Sequence, residues 1–152
     1  MKRSTERTLK TWILVVAYLA LIFGVSSIPQ GQFTRAYFKV SDKLAHLAEY
    51  AGFGLLLTVA FRNSFRRVRR WVLMVIVVLI GAAVGALDET YQTMVPGRER
   101  ELLDWVADVA GVLIGVGVAS GLNTWLTWRR TASGETVREH RRQAAPPTRD
   151  GR

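Results

Sequence analysis

The chain has 152 residues, 49% of them apolar, a formal net charge of +9 and no cysteine. That length suits one domain, and the missing thiol excludes disulfides and thiol chemistry. The basic excess invites a nucleic-acid reading, which its distribution along the chain rules out.

The chain opens with Lys2, Arg3, Arg7 and Lys10 and then runs uncharged from Trp12 to Ile28. A basic start before an apolar core also fits a signal peptide, but the run is long for one and Val25-Ser26-Ser27 is a poor cleavage site, so it is read as a retained span. Gly31–Ser41 follows as a loop entered through Pro29. Leu44–Phe61 is the second apolar run, with only His46 and Glu49 as ionisable groups. Asn63–Arg70 is a short basic connection, which makes the second and third spans antiparallel neighbours. Trp71–Leu87 is again uncharged. Thr93–Glu101 is a loop with the turn signal Pro96-Gly97. Leu102–Trp128 is charged only at Asp104 and Asp108. Thr131–Arg152 is rich in Arg, Ala, Pro and Gly without an apolar period and reads as disordered.

At a rise of about 1.5 Å per residue, each apolar run crosses or nearly crosses a bilayer core of about 30 Å. A soluble bundle needs a polar stripe on every helix, and Trp12–Ile28 and Trp71–Leu87 have none. The expected fold is all-α: a four-helix transmembrane bundle over residues 1–128 with an outer polar loop between helices 3 and 4, then a basic cytoplasmic tail over residues 129–152.

Sixteen of the 21 cations lie in the N-terminal ten residues, the second connection and the tail. The positive-inside rule then predicts a multi-pass protein of the bacterial cytoplasmic membrane with both termini cytoplasmic. Trp12, Trp71, Trp125 and Trp128 fall at the same ends of the spans, where indole prefers the interface. Eight of the 12 acids fall toward the other side. The basic excess is therefore a topology and lipid-surface device; the partner is membrane lipid, not nucleic acid.

The acids form a pattern. At 100° per residue, Asp42, His46, Glu49, Tyr50 and Phe53 share one stripe of the second helix. Asp104, Asp108, Gly111 and Gly115 share a face of the fourth. Gly81, Gly85, Asp88 and Gln92 share a face of the third if that helix runs so far. The glycine pairs Gly81/Gly85 and Gly111/Gly115 let helices approach closely. Charge at such positions is expensive unless it faces protein or water. The expectation is a polar pocket open to the outer side and lined by Asp42, Lys43, His46, Glu49, Tyr50, Asp88, Glu89, Gln92, Arg98, Asp104 and Asp108. Arg98, just after the turn, is expected to pair with Glu89 or Asp104, and His46 to reach Asp88, Glu89, Asp104 or Asp108. The alternative is a hydrogen-bond network that only fixes helix packing.

Asp42-Lys43 with His46 and Tyr50, Glu89-x-x-Gln92, Pro96-Gly97-Arg98, Asp104, and Gly111 with Gly115, in this order between spans, resemble the VanZ-like family of membrane proteins over about residues 10–125. The resemblance implies a bacterial cell-envelope protein whose namesake is linked to resistance to teicoplanin-type glycopeptide antibiotics. It implies no reaction. Position 108 carries Asp where the family pattern more usually has Asn, so a role needing a neutral amide is not carried over.

Function divides into classes. A binding module would hold a lipid head group or an anionic envelope precursor, with Arg98 and Lys43 on its phosphate or carboxylate. An enzyme on a lipid-linked substrate would use His46, Glu89 and Asp104 as acid and base. A metal site on His46 and Glu49 would be oxygen-rich, because the other histidine, His140, lies in the tail; no metal and no cofactor are assigned. No serine sits beside the histidine on these strips, which argues against a hydrolase triad. Four helices leave little room for a transport pathway unless the chain oligomerises.

Overall fold

The computed structural model describes residues 2–29, 35–98 and 100–143. Within them the chain forms α1 (Lys2–Ser26), α2 (Arg35–Ser64), α3 (Arg70–Gln92) and α4 (Leu102–Gln143). All four are long and apolar enough to cross a membrane. The chain divides into two compact units, Met1–Ala119 and Ser120–Arg152. The first is a membrane-spanning helical bundle.

Cross-contacts set the order of the helices. Trp12 Nε1 donates to Ser64 Oγ at 2.9 Å, so the start of α1 meets the end of α2. Ser27 and Tyr91 share a hydroxyl contact of 2.8 Å just past α1 and in the last turn of α3. Trp105 Nε1 donates to Ala82 O at 2.9 Å, joining the first turns of α4 to the second half of α3. Arg62 Nη1 donates to Ala119 O at 2.9 Å. The helices therefore alternate in direction. One end of the bundle, here the basic end, holds the start of α1 and the α2–α3 connection. The other, the polar end, holds the end of α1, the first turns of α2's span, the end of α3 and the start of α4.

Lipid tails are as apolar as leucine, so burial alone does not hold such helices together, and close packing must. The core consists of Val15, Ile22, Tyr50, Phe53, Leu57, Ala60, Val77, Val112 and Val116. Glycine lets α2 and α4 approach backbone to backbone. A Cβ on Gly115 would meet Ala51 O and would stand 2.6 Å from Leu55 N. A Cβ on Gly111 would meet Leu47 O. On α3, Leu73, Val77, Gly81, Gly85, Asp88, Glu89 and Gln92 are buried, a stripe that turns from apolar to polar toward the polar end. Thr58 returns its hydroxyl to Gly54 O at 2.6 Å, within its own helix, which satisfies that group without a neighbour.

Two boundaries differ from the sequence reading. The first loop is shorter than Gly31–Ser41, because α2 begins at Arg35; residues 35–41 contain no Gly or Pro to stop a helix, and residues 30–34 lie outside the described set. The basic connection narrows to residues 65–69. The third boundary agrees: α3 runs on to Gln92, so Gly81, Gly85, Asp88 and Gln92 do share its buried face.

In the second unit α4 continues to Gln143, through part of the segment read as disordered. Low apolar content does not abolish backbone helix propensity, and the first proline there is Pro146. Residues 144–152 lie outside the described set.

Candidate functional site

The turn between α3 and α4 builds one wall of the site. Arg98 N donates to Val95 O at 3.1 Å, and Pro96 and Gly97 take the two central positions. Gly97 has φ 81°, the left-handed value that the third residue of a type II turn requires. The chain then enters α4, and its first backbone donors need acceptors. Glu89 of α3 supplies one: its Oε2 accepts Glu101 N at 3.0 Å. That is the service a capping-box glutamate performs from within its own helix, here delivered from a neighbouring helix. Asp104, at the capping-box position itself, is engaged elsewhere.

Lys43 reaches from α2 to α4, with Nζ 2.6 Å from Asp104 Oδ1 and 2.9 Å from Glu101 Oε2. One turn deeper, His46 Nδ1 lies 2.8 Å from Asp108 Oδ1. The expected reach of His46 to an inward carboxylate is thus present. Asp108 lies over Gly85 of α3: a Cβ on that glycine would stand 2.8 Å from Asp108 Oδ2. The remaining polar residues form a second knot nearer α1. Gln92 Nε2 donates to Asp88 Oδ2 at 3.2 Å and lies 3.5 Å from Ser26 Oγ. Arg98 Nη1 donates to Gln92 Oε1 at 3.0 Å and Arg98 Nε to Ile28 O at 3.2 Å.

The pairing expected for Arg98 is therefore not the one found. Glu89 serves Glu101 N and Asp104 serves Lys43, while Arg98 turns back across the last turn of α3 to α1. The type II turn explains this, because it returns the chain over Gln92 before α4 begins. Lys43 and Arg98, both read as contacts for an anion, are engaged within the protein.

His46, Asp88, Glu89, Gln92, Asp104 and Asp108 are buried, none more than 4% exposed. Asp42, Lys43, Glu49 and Arg98 are half-buried. Tyr50 is fully buried beneath His46. Among the described residues, four buried polar side-chain atoms have no hydrogen-bond partner: Tyr50 Oη, Asp88 Oδ1, Glu89 Oε1 and Asp108 Oδ2. Each such group carries a desolvation cost of about 1–3 kcal/mol, larger when it is charged.

A cleft of about 420 Å³ adjoins this cluster, lined by Ala86, Glu89, Arg100, Glu101, Leu102 and Trp105. Ser26, Glu101 and Trp105 did not stand out in the sequence. Ser26 ends an otherwise apolar run, and Glu101 stands three residues before Asp104 at capping-box spacing. Trp105 lies away from the basic end, which holds Trp12 and Trp71, and a buried indole N–H needs an acceptor. Those were the available signals.

No curated protein and no solved structure matches the chain. The model of the VanZ/LLP1 family matches residues 3–126, a stretch that includes every residue of the polar cluster and of the cleft, and the chain belongs to that family.

Proposed function

We propose that this is a bacterial cell-envelope protein that holds the polar head of a lipid-linked envelope component in the cleft between the end of α3 and the start of α4. One observation carries the reading: buried Glu89, exposed Arg100 and exposed Leu102 line the same cleft. An amphiphile needs that combination, a hydrogen-bonding interior beside a cation and an apolar wall. Leu102 in the cleft wall is 72% exposed, and Leu87 and Leu103, next in sequence to the lining residues Ala86 and Leu102, are each 62% exposed, which suits an acyl chain. Arg100 takes the anion-contact role first read for Lys43 and Arg98, because those two cations are engaged internally. The cation distribution supports an orientation with both termini cytoplasmic and the cleft at the outer leaflet.

The test is mass spectrometry of lipids and envelope precursors that co-purify with the full chain. Wild type is expected to carry a bound species that Arg100→Ala and Trp105→Ala lose. Identical lipid profiles in all three would overturn the reading. If the bound species is an envelope precursor, expression in a susceptible bacterium should raise tolerance to a teicoplanin-type glycopeptide.

A second reading, an enzyme acting on such a substrate, is favoured by the His46–Asp108 contact close to Glu89. In that case His46 would serve as general base and Glu89 as acid. Turnover lost in Glu89→Gln with lipid retained would select it.

A further inference from the structure

The polar end contains an excess of buried acceptors. Asp108 uses Oδ1 on His46 and Glu89 uses Oε2 on Glu101 N. Asp108 Oδ2 and Glu89 Oε1 have no partner, in residues 0% and 1% exposed. Two carboxylates held this close inside a protein need a cation or a proton between them. One ligating atom each from His46, Glu89 and Asp108 lies within 4.8 Å of the others. The three come from α2, α3 and α4, so three helices converge on one point. Gly85 supports the arrangement, since any side chain there would occupy the space beside Asp108 Oδ2. Asp42, His46 and Asp104 form a second triplet of the same span, but Asp104 is already paired with Lys43.

From this geometry we propose that His46, Glu89 and Asp108 bind a divalent cation. One imidazole and two carboxylates make a mixed nitrogen–oxygen donor set, which suits a first-row transition ion such as Zn²⁺ or Mn²⁺ better than Mg²⁺. Three protein ligands leave a coordination position open, as in sites that receive a substrate oxygen. Glu89 also lines the cleft, so the proposed site and the cleft share one residue. A cation held by His46 and Asp108 would replace the proton that now lies between His46 Nδ1 and the Asp108 carboxylate. The site goes beyond the cleft reading and does not depend on which lipid, if any, the cleft holds.

The experiment uses the full chain in detergent, stripped with chelator, equilibrated with ZnCl₂ alone, desalted and assayed for metal by mass spectrometry. Wild type is expected to retain about one zinc per chain, and the bound metal to raise its thermal midpoint. His140→Ala should behave as wild type. Glu89→Gln keeps an oxygen for Glu101 N, and Asp108→Asn keeps one for His46, so both should fold. Each should bind zinc at least about tenfold more weakly. Co²⁺ in place of zinc should give visible absorption bands that both variants lose. The proposal is overturned if wild type retains no zinc, which leaves a shared proton between the carboxylates, or if both variants retain it unchanged. Because no lipid enters this assay, its failure is separate from failure of the cleft reading.

Discussion

His46 and Asp108 meet across the α2–α4 contact, 2.8 Å from ring nitrogen to carboxylate oxygen and 4% and 0% exposed. Removing either partner leaves the other without a replacement. His46→Leu and Asp108→Leu should each cost about 1–2 kcal/mol, toward the upper end of what hydrogen bonds between membrane helices contribute. Asp108→Asn should cost less, because an amide oxygen still accepts from the imidazole. Unfolding in mixed detergent–SDS micelles measures all three. Leucine variants as stable as wild type would show that the contact contributes nothing.

Lys43 serves two acids at once. Lys43→Met would leave Asp104 buried without its cation. Lys43 is 29% exposed, so solvent screening reduces the loss to about 1–2 kcal/mol, below the 3–5 kcal/mol typical when a fully buried pair is broken. The same micelle titration should show partial recovery in the double variant Lys43→Met/Asp104→Asn. An additive double variant would mean that the two residues are not coupled.

Glycine tests the packing. A methyl at Gly115 would meet the α2 backbone at Ala51 O and Leu55 N, whereas one at Gly117 would have nothing within 4 Å. Gly115→Ala should destabilise by about 1–3 kcal/mol through overpacking. Gly117→Ala should be neutral or stabilise by up to about 1 kcal/mol from helix propensity. Similar midpoints for the two variants would contradict the close α2–α4 approach.

Much of this architecture can be read from the sequence, and the reason is periodicity. The stripes His46/Tyr50/Phe53 and Asp104/Asp108/Gly111/Gly115 are buried as helical spacing requires. The His46 contact followed from facing and depth alone. The partners of Arg98 did not, because a type II turn decides where the chain points next, and charge alone does not reveal the turn's exit direction. Glu89 capping a neighbouring helix was also hidden, since a cap in trans leaves no local spacing. The start of α2 was missed because residues 35–41 carry polar groups but no breaker.

Arg98 ties α3 to α1 through Gln92 and Ile28 O, whereas Arg100 lies on the cleft. Arg98→Ala should therefore lower the thermal midpoint in detergent, and Arg100→Ala should leave it nearly unchanged while altering bound lipid. Equal midpoints for the two would remove the structural role given to Arg98.

Orientation has its own test. With both termini cytoplasmic, Gln32→Cys and Glu99→Cys should react with an impermeant thiol reagent in intact cells, and Ser64→Cys and Ser133→Cys should not. The chain has no native cysteine to confuse the labelling. Reaction at Ser64→Cys from outside would invert the protein and move the cleft to the cytoplasm.

Trp105 gives the cleft an optical handle. Its indole is pinned to Ala82 O and forms part of the cleft wall, while Trp12 is held at the opposite end of the bundle by Ser64 and Trp71 opens α3 there. Replacing Trp12, Trp71, Trp125 and Trp128 with phenylalanine would leave a single fluorophore at the mouth of the cluster. Its emission colour would then follow the wetness of that wall, and quenching by brominated lipids would report how closely acyl chains approach it, without any label.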